Sequence, residues 1–296
     1  MIDTKPLRGL GTALITPFLE DMSIDYDSLG KLLEKQISGG ADYLVVLGTT
    51  GEAATMVSSE KRKVRNFIKD KVAGRLPLVL GMGGKCTASV CEALRQEDLS
   101  GFDAILSVCP YYNKPRQEGM FQHFCAIAEA SPIPVIVYNV PGRTGVNLLP
   151  ETVIRLRDTM PDKIIGIKEA SGNMEQIVQL ISMRNQDIHR RNFLIISGDD
   201  AIAHPLMQEG ADGLISVASN AFPEDFREIV HNTYGKAATL QEHYQRLIYL
   251  LFKEGNPAGI KTVLAQQGLI QNYLRLPLVS NSAPVQAQII STLETL

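Results

Sequence analysis

The stretch KIIGIKEASG, Lys163 to Gly172, runs three isoleucines and a glycine straight into a lysine. A run this apolar reads as a buried strand, and it ends in an ammonium group that water solvates strongly. Seven other β-rich runs share its character: GTALITPF (11–18), DYLVVLGTTGE (42–52), LPLVLGMGG (76–84), FDAILSVCPYY (102–112), IPVIVYNVP (133–141), FLIISGDD (193–200) and DGLISVASN (212–220). Between them lie segments with helical apolar spacing, such as Ser28–Gly40 and Glu60–Val72. Most repeats take roughly thirty residues, the size of a βα unit. Strands that are continuously apolar, rather than alternating, are parallel strands covered on both faces. Eight of them predict a (β/α)8 TIM barrel, with an open doubly wound sheet as the alternative.

Past Pro223 the strand signal ends. Residues 224–252, 256–269 and 284–296 read as helical. The first of these stretches can supply the barrel's eighth helix, and the rest form a C-terminal helical extension. The expected division is a catalytic barrel over 1–235 and a helical domain over 236–296. Gly40 has the place of a helix stop.

Bulk composition narrows the partners. The 296 residues are 45% hydrophobic and 21% charged, with a formal net charge of −3. That composition suits a soluble globular chain and gives no reason to expect nucleic acid or an anionic membrane as partner. The opening MIDTKPLRGLGTALITPF lacks the apolar core of a signal peptide, and no apolar run is long enough to span a bilayer. Cys86, Cys91, Cys109 and Cys125 form no C-x-x-C pair and read as reduced thiols of a cytoplasmic protein.

In barrel enzymes the working residues lie at the C-terminal ends of strands. Here those ends carry GTTGE (48–52), PYYNKP (110–115), YNVPGRTG (138–145), KEASG (168–172) and SGDD (197–200). Side chains alternate along a strand. Ile164, Gly166 and Lys168 therefore share a face, as do Ile136 and Tyr138, and Leu44, Val46, Gly48 and Thr50. One choice of parity aims Lys168, Tyr138 and Thr50 into the barrel mouth, with Gly166 leaving empty volume below the lysine; the reverse parity is equally compatible with sequence. Desolvation disfavours the charged form of a lysine kept there, and its free amine is the nucleophile for a Schiff base. The plainer reading is a lysine that snorkels to solvent or pairs with Glu169.

The other motifs also read two ways. GTTGE is either a capped strand-to-helix turn or a backbone anion site. Tyr111, Tyr112 and Tyr138 are core aromatics or proton donors beside an imine. Arg143 is a solvated loop residue or a bidentate holder of a substrate carboxylate. GMGGKCTAS approaches a phosphate loop, but two residues separate Gly81 from Gly84 where four are needed. GLGTAL lacks the third glycine of a dinucleotide fingerprint. The five histidines show no metal-ligand spacing. No cofactor, metal, nucleotide or flavin is expected.

Taken in order, GTTGE, PYYNKP, YNVPGRTG, GIKEASG, SGDD and GLISVASN resemble the dihydrodipicolinate synthase and N-acetylneuraminate lyase family over almost the whole chain. The resemblance implies a barrel with a C-terminal helical domain, usually a homotetramer, and a class I aldolase that joins pyruvate to a lysine. It implies Lys168 as the Schiff-base lysine and Tyr138 as proton donor and acceptor. Thr50 would relay protons between Tyr138 and Tyr112, which reaches in from a neighbouring subunit. Backbone N–H groups of Thr49 and Thr50 would hold the pyruvate carboxylate, and Gly198 and Ile215 match positions lining its pocket.

Arg143 and GTTGE favour the synthase branch, whose second substrate is L-aspartate 4-semialdehyde; the lyases typically read GSTGE. A sugar-acid aldolase and a non-catalytic pyruvate-binding regulator are the alternatives. Positions that are histidines and a glutamate in lysine-inhibited synthases match Ser58, Lys61 and Ser89 here, although Tyr111 is kept. A cation at Lys61 implies weak or absent feedback by lysine.

Overall fold

The computed structural model describes residues 3–232 and 235–296. Expectations that touch Met1, Ile2, Thr233 and Tyr234 lie outside the described residues. Eight parallel strands follow one another in chain order around a closed barrel. They are β1 (Gly9–Ala13), β2 (Tyr43–Val46), β3 (Leu78–Gly81), β4 (Ala104–Val108), β5 (Val135–Asn139), β6 (Ile164–Glu169), β7 (Leu194–Ser197) and β8 (Gly213–Ser216). The open-sheet alternative is thereby excluded. Strands β1, β2, β5, β6, β7 and β8 are buried at every position. That is why their sequences do not alternate.

The helices are α1 (Tyr26–Ser38), α2 (Ser58–Val72), α3 (Thr87–Gln96), α4 (Gln117–Ala130), the short α5 (Pro141–Thr144), α6 (Pro150–Thr159), α7 (Met174–Asn185), α8 (Ala203–Gln208), α9 (Pro223–His231), α10 (Lys236–Phe252), α11 (Ala258–Gln266) and α12 (Ala283–Leu293). Helix α1 shows why the local sequence folds as it does. The Asp25 carboxylate accepts from the Ser28 N–H at 2.9 Å and caps its start. Leu29, Leu32, Leu33 and Gln36, spaced as one helical face, are buried. Gly40, with φ +77°, ends it in a conformation that suits glycine.

An aspartate placed just before a strand recurs as a register pin. Asp42, before β2, accepts from the Leu10 N–H of β1 at 2.6 Å. Asp103, before β4, accepts from the Leu78 N–H of β3 at 2.8 Å. Asp212, before β8, accepts from the Ile195 N–H of β7 at 2.8 Å and is also paired with Arg8 and Arg184. Each bond fixes the start of one strand against its neighbour, and a one-residue slip would break it.

The chain divides into two compact units. One joins the N-terminal segment through Arg8 to Pro77–Ile215, and the other joins Gly9–Leu76 to Ser216–Leu296. In the second unit α9 packs on β1, and α10 packs on α9, α11 and α12. The helical stretch expected over 224–252 is two helices, α9 and α10, not one. Gly235, at φ +88°, stands immediately before α10 in a conformation no continuous helix contains. All four cysteines are free thiols. Among the described residues no helix is long and apolar enough to cross a membrane.

Candidate active site

The parallel pairing of β5 and β6 sets Tyr138 beside Lys168, and Asn139 beside Glu169. The first pair shares one face and the second pair the other. Lys168 is 6% exposed, and its Nζ lies 4.6 Å from the centre of the Tyr138 ring, which is 7% exposed. Among the described residues Lys168 makes no ion pair, so neither the snorkelling nor the Glu169-paired alternative describes it.

Two glycines shape the space around the lysine, one of them differently from expectation. Gly166 does not leave empty volume: a Cβ there would lie 2.7 Å from the Leu194 Cβ and 2.8 Å from the Leu194 carbonyl oxygen, because β7 fills it. The room for Lys168 comes from Gly198 instead. A Cβ at Gly198 would approach the Lys168 Cε to 2.8 Å, its Cγ to 3.2 Å and the Ala170 Cβ to 2.6 Å. Any side chain at Gly198 therefore competes with the lysine stem.

On the opposite face Glu169 is 1% exposed and takes hydrogen bonds from Asn139 Nδ2 (2.9 Å), the Ser171 N–H (2.7 Å) and Gln176 Nε2 (3.2 Å). Burial pushes its carboxyl pKa up, while these donors oppose the shift. Burial and the Glu169 carboxylate together push up the nearby Cys109 thiol. Asn139 is fully buried and also donates to Asn147 Oδ1 at 2.8 Å. Sequence reasoning did not single it out. The register pairing of two polar residues, one step beyond Tyr138 and Lys168, was the available signal.

GTTGE lies in the second unit as two overlapping turns, with the Gly51 N–H donating to the Gly48 carbonyl and the Glu52 N–H to the Thr49 carbonyl, both at 3.1 Å. The N–H groups of Thr49 and Thr50 are not used by these turns, the arrangement an anion site needs. Thr49 is exposed, whereas Thr50 is 3% exposed and its Oγ1 accepts from Asn256 Nδ2 at 2.9 Å. Glu52 holds φ +55°, a strained conformation for a residue with a Cβ. It is fixed by a fully buried ion pair, Lys261 Nζ to Glu52 Oε1 at 2.5 Å, and by the Arg275 N–H at 3.1 Å. Lys261 also donates to the Tyr273 carbonyl at 2.9 Å and lies over the Phe18 ring. Desolvation lowers its pKa to about 8 against the opposing pull of Glu52. Asn256, Lys261 and Arg275 were not anticipated; a single lysine inside the apolar run AGIKTVLA was the one sequence signal.

The remaining expected residues are more dispersed. Tyr112, at φ +77°, is 85% exposed beyond β4, with Lys85 Nζ 5.1 Å from its ring centre. Arg143 is exposed in α5, beyond β5. Lys114 extends across Gly145 of the same loop. Ile215 is buried within β8. Thus Lys168 lies against both the Tyr138 ring and Gly198, while Tyr112 and Arg143 are exposed. Among the described residues no group of His, Cys, Asp and Glu is arranged to hold a metal.

A family model described as the dihydrodipicolinate synthetase family matches residues 6–296. The chain belongs to this family. A protein of Parabacteroides distasonis named 4-hydroxy-tetrahydrodipicolinate synthase is 50% identical over 277 residues, covering 92% of this chain and 91% of its own length. Among solved structures, the dihydrodipicolinate synthase of Thermotoga maritima superposes with a TM-score of 0.93 at 37% identity, covering 97% of this chain and 98% of that one. The chloride-inhibited dihydrodipicolinate synthase of Acinetobacter baumannii, solved in complex with pyruvate, gives 0.91 at 39% identity over 97% and 98%. Dihydrodipicolinate synthetase family membership thus extends from before β1 through α12.

Proposed function

We propose that this chain is a class I aldolase that condenses pyruvate with L-aspartate 4-semialdehyde to give 4-hydroxy-tetrahydrodipicolinate, the step entering diaminopimelate and lysine biosynthesis. The observation that carries the chemistry is a buried lysine amine, with no carboxylate partner among the described residues, over the face of a buried tyrosine ring. The names of its relatives supply the substrates.

The Lys168 amine attacks the ketone carbon of pyruvate. The resulting carbinolamine loses water and becomes an imine. A cationic imine nitrogen over the Tyr138 ring face gains roughly 0.5–2 kcal/mol. The imine withdraws electrons, a methyl proton leaves, and the enamine carbon attacks the aldehyde of the second substrate. The amine of that substrate then displaces Lys168 by transimination and closes the ring. Tyr138 donates and recovers protons, and Thr50 relays them to Tyr112. N–H groups of Thr49 and Thr50 hold the pyruvate carboxylate, with Gly198 and Ile215 lining its pocket. Arg143 holds the carboxylate of the semialdehyde.

Because Tyr112 is exposed here, the relay requires a second copy of the chain, in a cytoplasmic homotetramer. The barrel over 1–235 carries the chemistry and the helices over 236–296 brace it. Borohydride reduction with pyruvate, followed by peptide mass mapping, tests the reading. A reduced pyruvyl adduct on Lys168 is the expected result, and an unmodified Lys168 would refute it.

A further inference from the structure

The hydroxyl of Thr50 has one hydrogen and two acceptor lone pairs, so its orientation decides whether it gives or takes a proton on a given side. In this structure one lone pair is occupied by Asn256 Nδ2, 2.9 Å away, from the segment between α10 and α11. An amide NH2 group can only donate. The Thr50 hydrogen must therefore leave in another direction, toward a different acceptor. Asn256 is 7% exposed, and its Oδ1 is buried without a partner among the described residues. A buried asparagine serving only to brace a loop would use both ends of its amide. Among the described residues this side chain makes one hydrogen bond, and that bond ends on Thr50.

We propose that Asn256 is a positioning residue that fixes the direction of the Thr50 hydroxyl, keeping its hydrogen free for donation in the relay before each turnover. This rests on the relay role of Thr50 proposed above. Two residues further along the same loop, Glu52 is gripped by Lys261 and by the Arg275 N–H, so the turn itself is held independently of Asn256. Replacing Asn256 should disturb the hydrogen of Thr50 more than the position of its backbone.

Asn256→Asp discriminates. Its carboxylate is the same size but can only accept, so it captures the Thr50 hydrogen and reverses the relay. The charged groups in this cluster are Glu52 and Lys261, paired with each other, and Arg275, paired with Glu60. Turnover is therefore compared with the parent at both pH 5.5 and pH 7.5, so that the titration of Lys261 near 8 is common to the two proteins. We expect kcat to fall roughly ten- to hundredfold at pH 7.5, with the KM for pyruvate within about twofold of the parent. The deficit should shrink on acidification, as the protonated carboxyl donates in place of the amide.

Asn256→Ala, the check should the aspartate variant fail to fold, should slow exchange of the pyruvate methyl protons into deuterated water by about tenfold. That deficit should be independent of pH. Parent-like kcat in Asn256→Asp at pH 7.5, a deficit that is flat with pH, or undiminished exchange in Asn256→Ala would each overturn the proposal. Absence of a trapped adduct on Lys168 in the unmodified protein would instead bring down the aldolase reading beneath it.

Discussion

Replacing Lys261 with methionine tests how the GTTGE turn is held. Lys261 and Glu52 side chains are both 0% exposed, with Nζ and Oε1 2.5 Å apart. Methionine keeps most of the stem's volume but leaves the Glu52 carboxylate buried with the Arg275 N–H as its remaining donor. Removing one partner of a buried pair costs about 3–5 kcal/mol, mainly as the cost of the abandoned charge. At about 2 °C per kcal/mol for a chain of this size, Tm should fall by about 6–10 °C. The measurement is a circular dichroism melt at one fixed protein concentration. The double variant Lys261→Met/Glu52→Gln should recover most of the loss, because glutamine still accepts from Arg275 and carries no charge. A fall under 2 °C in the single variant, or a double variant no more stable than the single, would refute the reasoning. The KM for pyruvate should rise in the single variant, since the turn presenting the Thr49 and Thr50 N–H groups loosens.

The remaining tests address pH, the lysine pocket, the second substrate and regulation. The Lys261 pKa is about 8 in the folded protein, below its ordinary value of 10.5. Between those values the unfolded chain retains a proton that the folded chain has lost. The contribution of Lys261 to stability therefore rises with pH across that window and is lost as pH falls through about 8. Denaturant titrations at pH 7 and pH 10 should show this difference shrinking in Lys261→Met/Glu52→Gln. Gly198→Ala should push the lysine stem aside and lower kcat roughly ten- to hundredfold, read from steady-state turnover, because reacting groups tolerate little displacement. Arg143→Ala should raise the KM for the semialdehyde roughly ten- to hundredfold while borohydride trapping with pyruvate is unchanged. Lysine added to the assay should inhibit weakly or not at all, and inhibition at micromolar levels would contradict the reading of Ser58, Lys61 and Ser89.

The barrel was legible because a parallel sheet buried on both faces writes itself as eight continuous apolar runs. Strand alternation allowed Tyr138 and Lys168 to share one face but left the parity open, and it is the register that sets the two side by side. What alternation could not show was which neighbour fills a gap. Gly166 and Gly198 look alike in sequence, but β7 occupies the space at the first and Lys168 the space at the second. The Asn256 and Lys261 contacts were illegible for another reason. Each joins residues more than two hundred positions apart, and no local periodicity encodes such a meeting. Asn139 lay between these cases, visible in the pattern yet overshadowed by the Tyr138 and Lys168 pair one step before it.

The second compact unit is assembled from the two ends of the chain, Gly9–Leu76 and Ser216–Leu296. A ribosome making this protein releases the opening strands and helices first, then roughly 140 residues belonging to the other unit, before their partners emerge. At elongation speeds of about 5–20 residues per second, the first part of this unit waits roughly 7–28 seconds for the second. The interval is when a nascent chain is most open to aggregation and chaperone capture, and a circular permutant that begins near Pro77 would abolish it.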